Sequence, residues 1–145
     1  MYFHLFSRGG QTSSVEIVGR KRGQKVLKVI VKAFDTPDEV RNFENGKFEL
    51  VCIGGLTIGR ATYAPGWKWS EHVGKSLGKT SCEVEHVGVV LAGRATAAMN
   101  DGTVIEMKPG DIFHIPPGHD SWVVGDEPYV SLHLMGAKDY AAHKS

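Results

Sequence analysis

Two short blocks of the chain hold residues able to bind a metal or move a proton. The first, PGWKWSEHVGKSLGKTSCEVEHVGVVLAG, contains His72, Cys82 and His86; the second, PGDIFHIPPGHDSWVVGDEP, contains His114, His119 and Trp122. Imidazole is the commonest side-chain ligand for first-row metals. A thiolate would favour Zn²⁺ or another borderline-soft ion over Mg²⁺ or Ca²⁺. If the residues from Cys82 to Val90 form one strand, Cys82, Val84, His86, Gly88 and Val90 share a face opposite Glu83, Glu85 and Val87. The face without formal charge fits an interior, because the two acids opposite it are readily solvated. Each residue also has an ordinary reading: a buried histidine can be a hydrogen-bonded core residue, and a buried cysteine a small hydrophobe. Trp67 and Trp69 alternate with Lys68 and Ser70, which puts both indoles on one face and Ser70 with His72 on the other. Trp122 follows His119 closely enough to wall the mouth of a cavity. Pro116-Pro117-Gly118 fixes the backbone just before His119. Asp120 is placed either to accept a hydrogen bond from a ligating imidazole or to cap the turn.

The elements that must position these residues are strands. Apolar, β-branched runs punctuated by Gly, Pro and Asp-Gly predict strands over VLKVIVKAF, FELVCIG, LTIGRATYA, EHVGVVLAG, RATAAMN, TVIEMK, DIFHIP, SWVVG and YVSLHLMG. Asn100-Asp101-Gly102 predicts a tight hairpin over residues 94–108 with a two-residue turn. Thr36-Pro37-Asp38-Glu39 has the pattern of a helix start and predicts a short helix near residues 37–43, with a second helical piece near 137–143. The expected fold is therefore all-β, a sandwich or a barrel.

With 145 residues the chain is sized for one domain. Residues 1–25 read as an N-terminal extension, partly disordered, and 26–145 as the domain. Seventeen basic residues against 16 acidic ones give no general reason to expect a nucleic-acid partner. The exception, RKRGQKVLKVIVK, reads as one solvated face of a strand. Neither a membrane span nor a secretory signal is visible, so a soluble, cytoplasmic protein is expected. Two cysteines, Cys52 and Cys82, are too few for a disulfide framework. No nucleophile elbow, phosphate loop or Ser-His-Asp order is present, which argues against covalent hydrolysis and nucleotide chemistry.

Three spacings choose between sandwich and barrel: five residues from Gly66 to His72, six from His86 to Gly93, and five from Gly110 to Pro116 before Pro117-Gly118. These blocks resemble the two signature motifs of the cupin superfamily. The stretches DTPDEVRNFENG, GWKWSEHV, TSCEVEHVG and PPGHDSWVVGDEP are similar to a subgroup of small single-domain bacterial cupins. The resemblance implies a jelly-roll β-barrel, a double-stranded β-helix in which three histidines and a glutamate hold one divalent metal. His72 matches the first histidine. Gly74, Cys82 and Ser121 stand where the next histidine positions and their neighbours fall, His86 stands at the glutamate, and His119 lies one residue after the glycine of the second motif. The implied metal ligands are His72, His86 and His119, around a divalent transition metal (Zn, Fe, Mn or Ni), with Cys82, Trp69 and Trp122 contacting a small-molecule ligand. His114, His133, His4 and His143 read as structural or solvent-facing. Two function classes follow: a metal-dependent enzyme acting inside the barrel, or a non-catalytic binding or sensing protein using the same cavity without metal. VLKVIVKAF, as an exposed edge, implies pairing with a second subunit and a homodimer.

Overall fold

The computed structural model describes residues 27–142. The expectations for residues 1–25, Val26, His4 and His143 fall outside that range. Nine strands form: β1 Glu39–Phe43, β2 Gly46–Ile53, β3 Leu56–Tyr63, β4 His86–Ala92, β5 Arg94–Met99, β6 Val104–Met107, β7 Ile112–Ile115, β8 His119–Val124 and β9 Tyr129–Met135. They build a six-stranded sheet ordered β1-β2-β3-β9-β4-β7 and a three-stranded sheet ordered β6-β5-β8, with every pairing antiparallel. This is the expected jelly-roll type of all-β fold, with one correction. The two sheets do not close into a single hydrogen-bonded barrel, because β6 and β7 each pair on one side only and leave an open seam lined by Met99, Ile105 and Ile112. On the opposite side the long connection between β3 and β4 runs along β8. The backbone pairs Lys68 with Trp122 and Cys82 with His119 there, and Val123 N–H donates to the Trp67 carbonyl at 3.0 Å.

The strands form where apolar side chains can point between the sheets at every second residue. Phe48, Leu50, Ala61, Tyr63, Val90, Ala95, Phe113 and Val123 supply the buried core. The hairpin of β5 and β6 forms as expected, with a loop one residue longer than the two-residue turn. Met99 N–H donates to the Thr103 carbonyl at 2.8 Å, Gly102 N–H donates to the Met99 carbonyl at 3.0 Å, and Gly102 has φ 95. That is a type I turn closed by a glycine bulge.

Three expectations are corrected at the periphery. Residues 37–43 are not helical, because the residues that would follow a Thr36 cap serve the sheet, Asp38 first among them. Its carboxylate accepts the Cys52 N–H at 2.7 Å, its own N–H donates to the Leu50 carbonyl at 2.8 Å, and β1 then pairs with β2. Strand pairing here overrides local helix propensity. Residues 27–34 form no strand, having no pairing partner among the described residues, and Leu27, Val29 and Val31 are 86–96% exposed. Residues 137–141 form turns, with one helix-like bond from Tyr140 N–H to the Gly136 carbonyl at 3.2 Å. The helix that does form was not expected: a π-helical turn, Ser70–Gly74, running into α1, Lys75–Leu77, which ends at Gly78 in the left-handed conformation.

Candidate metal centre

Cys82, His86 and His119 come together between the sheets, each almost fully buried, with one potential ligand atom apiece all within 4.8 Å of one another. His86 arrives on the inward face of β4, in the alternation the sequence suggests. Gly136 (φ 83) lets the backbone pass directly against it: a side-chain carbon there would strike the Glu85 carbonyl and approach His86 Nδ1 to 3.0 Å. Cys82 is pinned by its backbone, donating to the His119 carbonyl at 2.7 Å and accepting from Gly118 N–H at 2.8 Å. His119 opens β8 directly after Gly118, whose φ of 88 turns the chain inward.

The distance between two of the donors fits a shared metal. Cys82 Sγ lies 3.5 Å from His86 Nε2. Ligand bonds of about 2.3 Å to sulfur and 2.05 Å to nitrogen at a tetrahedral angle place those atoms about 3.6 Å apart. His119 Nδ1 lies 2.7 Å from the Pro116 carbonyl, which can only accept, so the ring donates from Nδ1 and presents Nε2 with its lone pair free. The electrostatics are those of a buried site that keeps its donors neutral. Burial pushes the Cys82 thiol up to about 11. Burial, then the neighbouring His133 and His119, holds His86 down to about 2. His119 is lowered by burial against the opposing pull of the Pro116 carbonyl. The imidazoles are therefore ready to bind without losing a proton, whereas the thiol must release one. The donor set, two imidazoles and one thiol, fits Zn²⁺ or another transition metal and not Mg²⁺ or Ca²⁺.

His72 does not join this group. It sits in the π-helical turn with Nδ1 2.9 Å from Lys68 N and Nε2 3.4 Å from Asn45 Nδ2, so local backbone claims its ring. Cys82, expected to touch substrate, takes the third donor position. Trp69 lines the cavity, with Gly74 pressed against its ring. Trp122 does not, since the alternation that turns His119, Ser121 and Val123 inward turns it outward, where Lys68 Nζ lies 6.0 Å over its ring. Asp120 bonds no imidazole. It accepts from Ser70 N–H at 3.0 Å and Ser70 Oγ at 2.8 Å and so fastens the β3–β4 connection to β8, while the Pro116 carbonyl holds the ring. His114 is exposed and meets Glu85 at 2.7 Å.

His133 is the site residue the sequence reading passed over. It is buried on β9, its ring 5.1 Å from that of His86, with Nε2 3.1 Å from Ser131 Oγ and burial holding it down to about 4. The signal was present: in YVSLHLM the inward set is Tyr129, Ser131 and His133, all buried, while Leu134 is 54% exposed. A strand that buries its polar set is lining something polar. Tyr63 and Tyr140 join there, hydroxyl to hydroxyl at 2.8 Å, and Trp67 stacks on Tyr63 at 3.7 Å. The enclosed cavity is small, about 30 Å³. Outside it lies a vestibule of about 600 Å³ lined by Trp69, Leu77, Lys79, Cys82, Glu83 and Asp139. Cys82 lines the larger space, His86 and His119 line the smaller one, and Trp69 borders both.

No protein-family model matches the chain, and no curated protein matches it. Solved structures do. A protein of unknown function from Rhizobium leguminosarum bv. viciae 3841 superposes with a TM-score of 0.55 at 23% identity, covering 75% of this chain and 97% of the other. The 11S allergen of Cocos nucifera gives 0.51 at 14% identity, over 72% of this chain and 33% of the other. A cupin-2 domain protein from Rhodospirillum rubrum, Rru_A2000, gives 0.49 at 18% identity, over 75% and 68%. The first two likenesses are of fold. Joined to the sequence blocks that resemble the cupin motifs, the paired jelly-roll sheets define a cupin-type fold.

Proposed function

We propose that the protein binds a divalent transition metal (Zn, Fe, Mn or Ni) through Cys82, His86 and His119, and takes a small molecule from the vestibule to that centre. The observation that carries this reading is the 3.5 Å approach of Cys82 Sγ to His86 Nε2, beside an imidazole whose tautomer is already set for ligation. A bound ion with three protein ligands would offer an open position and Lewis acidity to a ligand arriving there. Metal-dependent catalysis and non-catalytic sensing both use such a position. Metal analysis of protein purified without chelators tests the reading. Wild type should carry about one ion per chain, Cys82→Ala, His86→Ala and His119→Ala should lose most of it, and His72→Ala should retain it. Equal metal in wild type and the Cys82→Ala, His86→Ala double variant would refute it.

On the same reading residues 26–145 form the working domain. The exposed apolar side chains of Leu27, Val29, Ile30 and Val31 support a homodimer in which a second copy covers them. A monomer by light scattering at micromolar concentration would count against this. No described helix is long and apolar enough to cross a membrane. Both described cysteines are free thiols, which fits a reducing, cytoplasmic compartment.

A further inference from the structure

Four buried side-chain polar atoms among the described residues have no hydrogen-bond partner: Trp67 Nε1, Trp69 Nε1, His86 Nδ1 and His133 Nδ1. All four belong to residues that line the inner cavity. A buried polar atom without a partner costs free energy, so four of them on residues lining one space indicate an occupant that supplies missing bonds. The two indole groups can only donate, so they call for an acceptor. No Asp, Glu, Lys or Arg side chain lines the cavity. A divalent ion held by one thiolate and two neutral imidazoles would leave a net positive charge at its rim.

We infer that the inner cavity is an oxyanion pocket, in which the carboxylate head of a small acid accepts hydrogen bonds from the Trp67 and Trp69 indoles beside the Cys82, His86 and His119 centre. This rests on the metal reading for its charge but not for its donors. A cavity of about 30 Å³ has room for about two water-sized groups, which suits the two oxygens of a carboxylate and little more. Trp69 lines both the cavity and the vestibule, so the rest of a bound acid extends outward past its ring, toward Lys79.

Formate is the probe. Zinc-loaded protein is titrated with sodium formate by calorimetry and tryptophan fluorescence, and with methylammonium as a cation of similar size. Formate should bind and methylammonium should not. Trp69→Phe and Trp67→Phe keep an aromatic ring but remove the N–H, and each should weaken formate at least about tenfold while leaving zinc content unchanged. Trp122→Phe, on the outer face, should bind as wild type. Metal-free protein should still bind formate, more weakly, because the indole donors remain. If the protein holds no metal at all, formate binding that is lost in Trp69→Phe would still uphold the pocket. Stoichiometric zinc with no formate binding would overturn the pocket and leave the metal centre standing, with water alone in the cavity. Equal affinity in wild type and both tryptophan variants, or equal binding of methylammonium, would overturn it as well.

Discussion

Acidifying the metal-free protein from about pH 8 to about pH 5.5 should strip a large share of its stability, and two buried histidines set the amount. Burial is the first cause in each, and it holds His86 down to about 2 and His133 to about 4, against 6.5 for the free side chain. The unfolded chain therefore binds protons that the folded chain refuses, and stability falls as pH drops through the unfolded value, with the loss continuing down to the folded one. At pH 5.5 an unfolded imidazole is about nine-tenths protonated, and that protonation favours unfolding by about 1–2 kcal/mol. Two such groups give about 3 kcal/mol, and His119, lowered in the same direction, adds to it. Against a total of about 5–15 kcal/mol for a domain this is easily measured. Urea unfolding of chelator-treated protein at the two pH values reads it directly. In His133→Phe the difference should shrink by about 1–2 kcal/mol, whatever the variant does to stability at pH 8. A wild-type change under about 1 kcal/mol would refute the reasoning, because it would mean that these rings meet water in the folded state.

Gly136→Ala should destabilise the fold by about 2–4 kcal/mol, since it adds a left-handed strain to a collision with the Glu85 carbonyl and His86. Metal affinity should fall with it, as read by chelator competition. Asp120→Ala should lower the urea midpoint by the equivalent of about 1–2 kcal/mol while metal content stays at the wild-type level. Its carboxylate fastens Ser70 and bonds no imidazole, so loss of metal in this variant would contradict that role.

The strands were legible because burial on alternate residues leaves a period of two in the sequence, and eight of the nine predicted runs overlap observed strands from β2 to β9. What was not legible depends on partners far along the chain. Asp38 looks like part of a helix's first turn, behind a Thr36 cap, until Cys52, 14 residues on, offers it an N–H. The run VLKVIVKAF has strand composition, yet composition cannot supply a neighbouring strand, and at residues 27–34 none is present among the described residues. Barrel closure is lost for the same reason: β6 and β7 carry the expected pattern, but whether two edges meet is decided by the sheets as a whole.

The candidate centre shows the same division more sharply. Cys82 and His86 are both buried, as alternation along 82–90 suggests, but not on one strand: β4 begins at His86, residues 83–85 lie outside any strand, and Cys82 bridges to His119 instead. His72 was assigned by its spacing from Gly66, but the intervening residues coil into a π-helical turn and the ring is spent on Lys68 and Asn45. His119 was reached through the Pro-Pro-Gly corner, and that corner does more than turn the chain. Locked backbone at Pro116 aims its carbonyl at His119 Nδ1, while Gly118 passes its N–H to the Cys82 carbonyl. The same few residues therefore set one donor's tautomer and bring the other donor's backbone alongside, so the loop and the centre are one structure. A change that strains the corner, such as Gly118→Val, should cost metal before it costs the fold, since a φ of 88 that glycine adopts freely is costly for a β-branched residue and sits beside both donors and outside the paired strands.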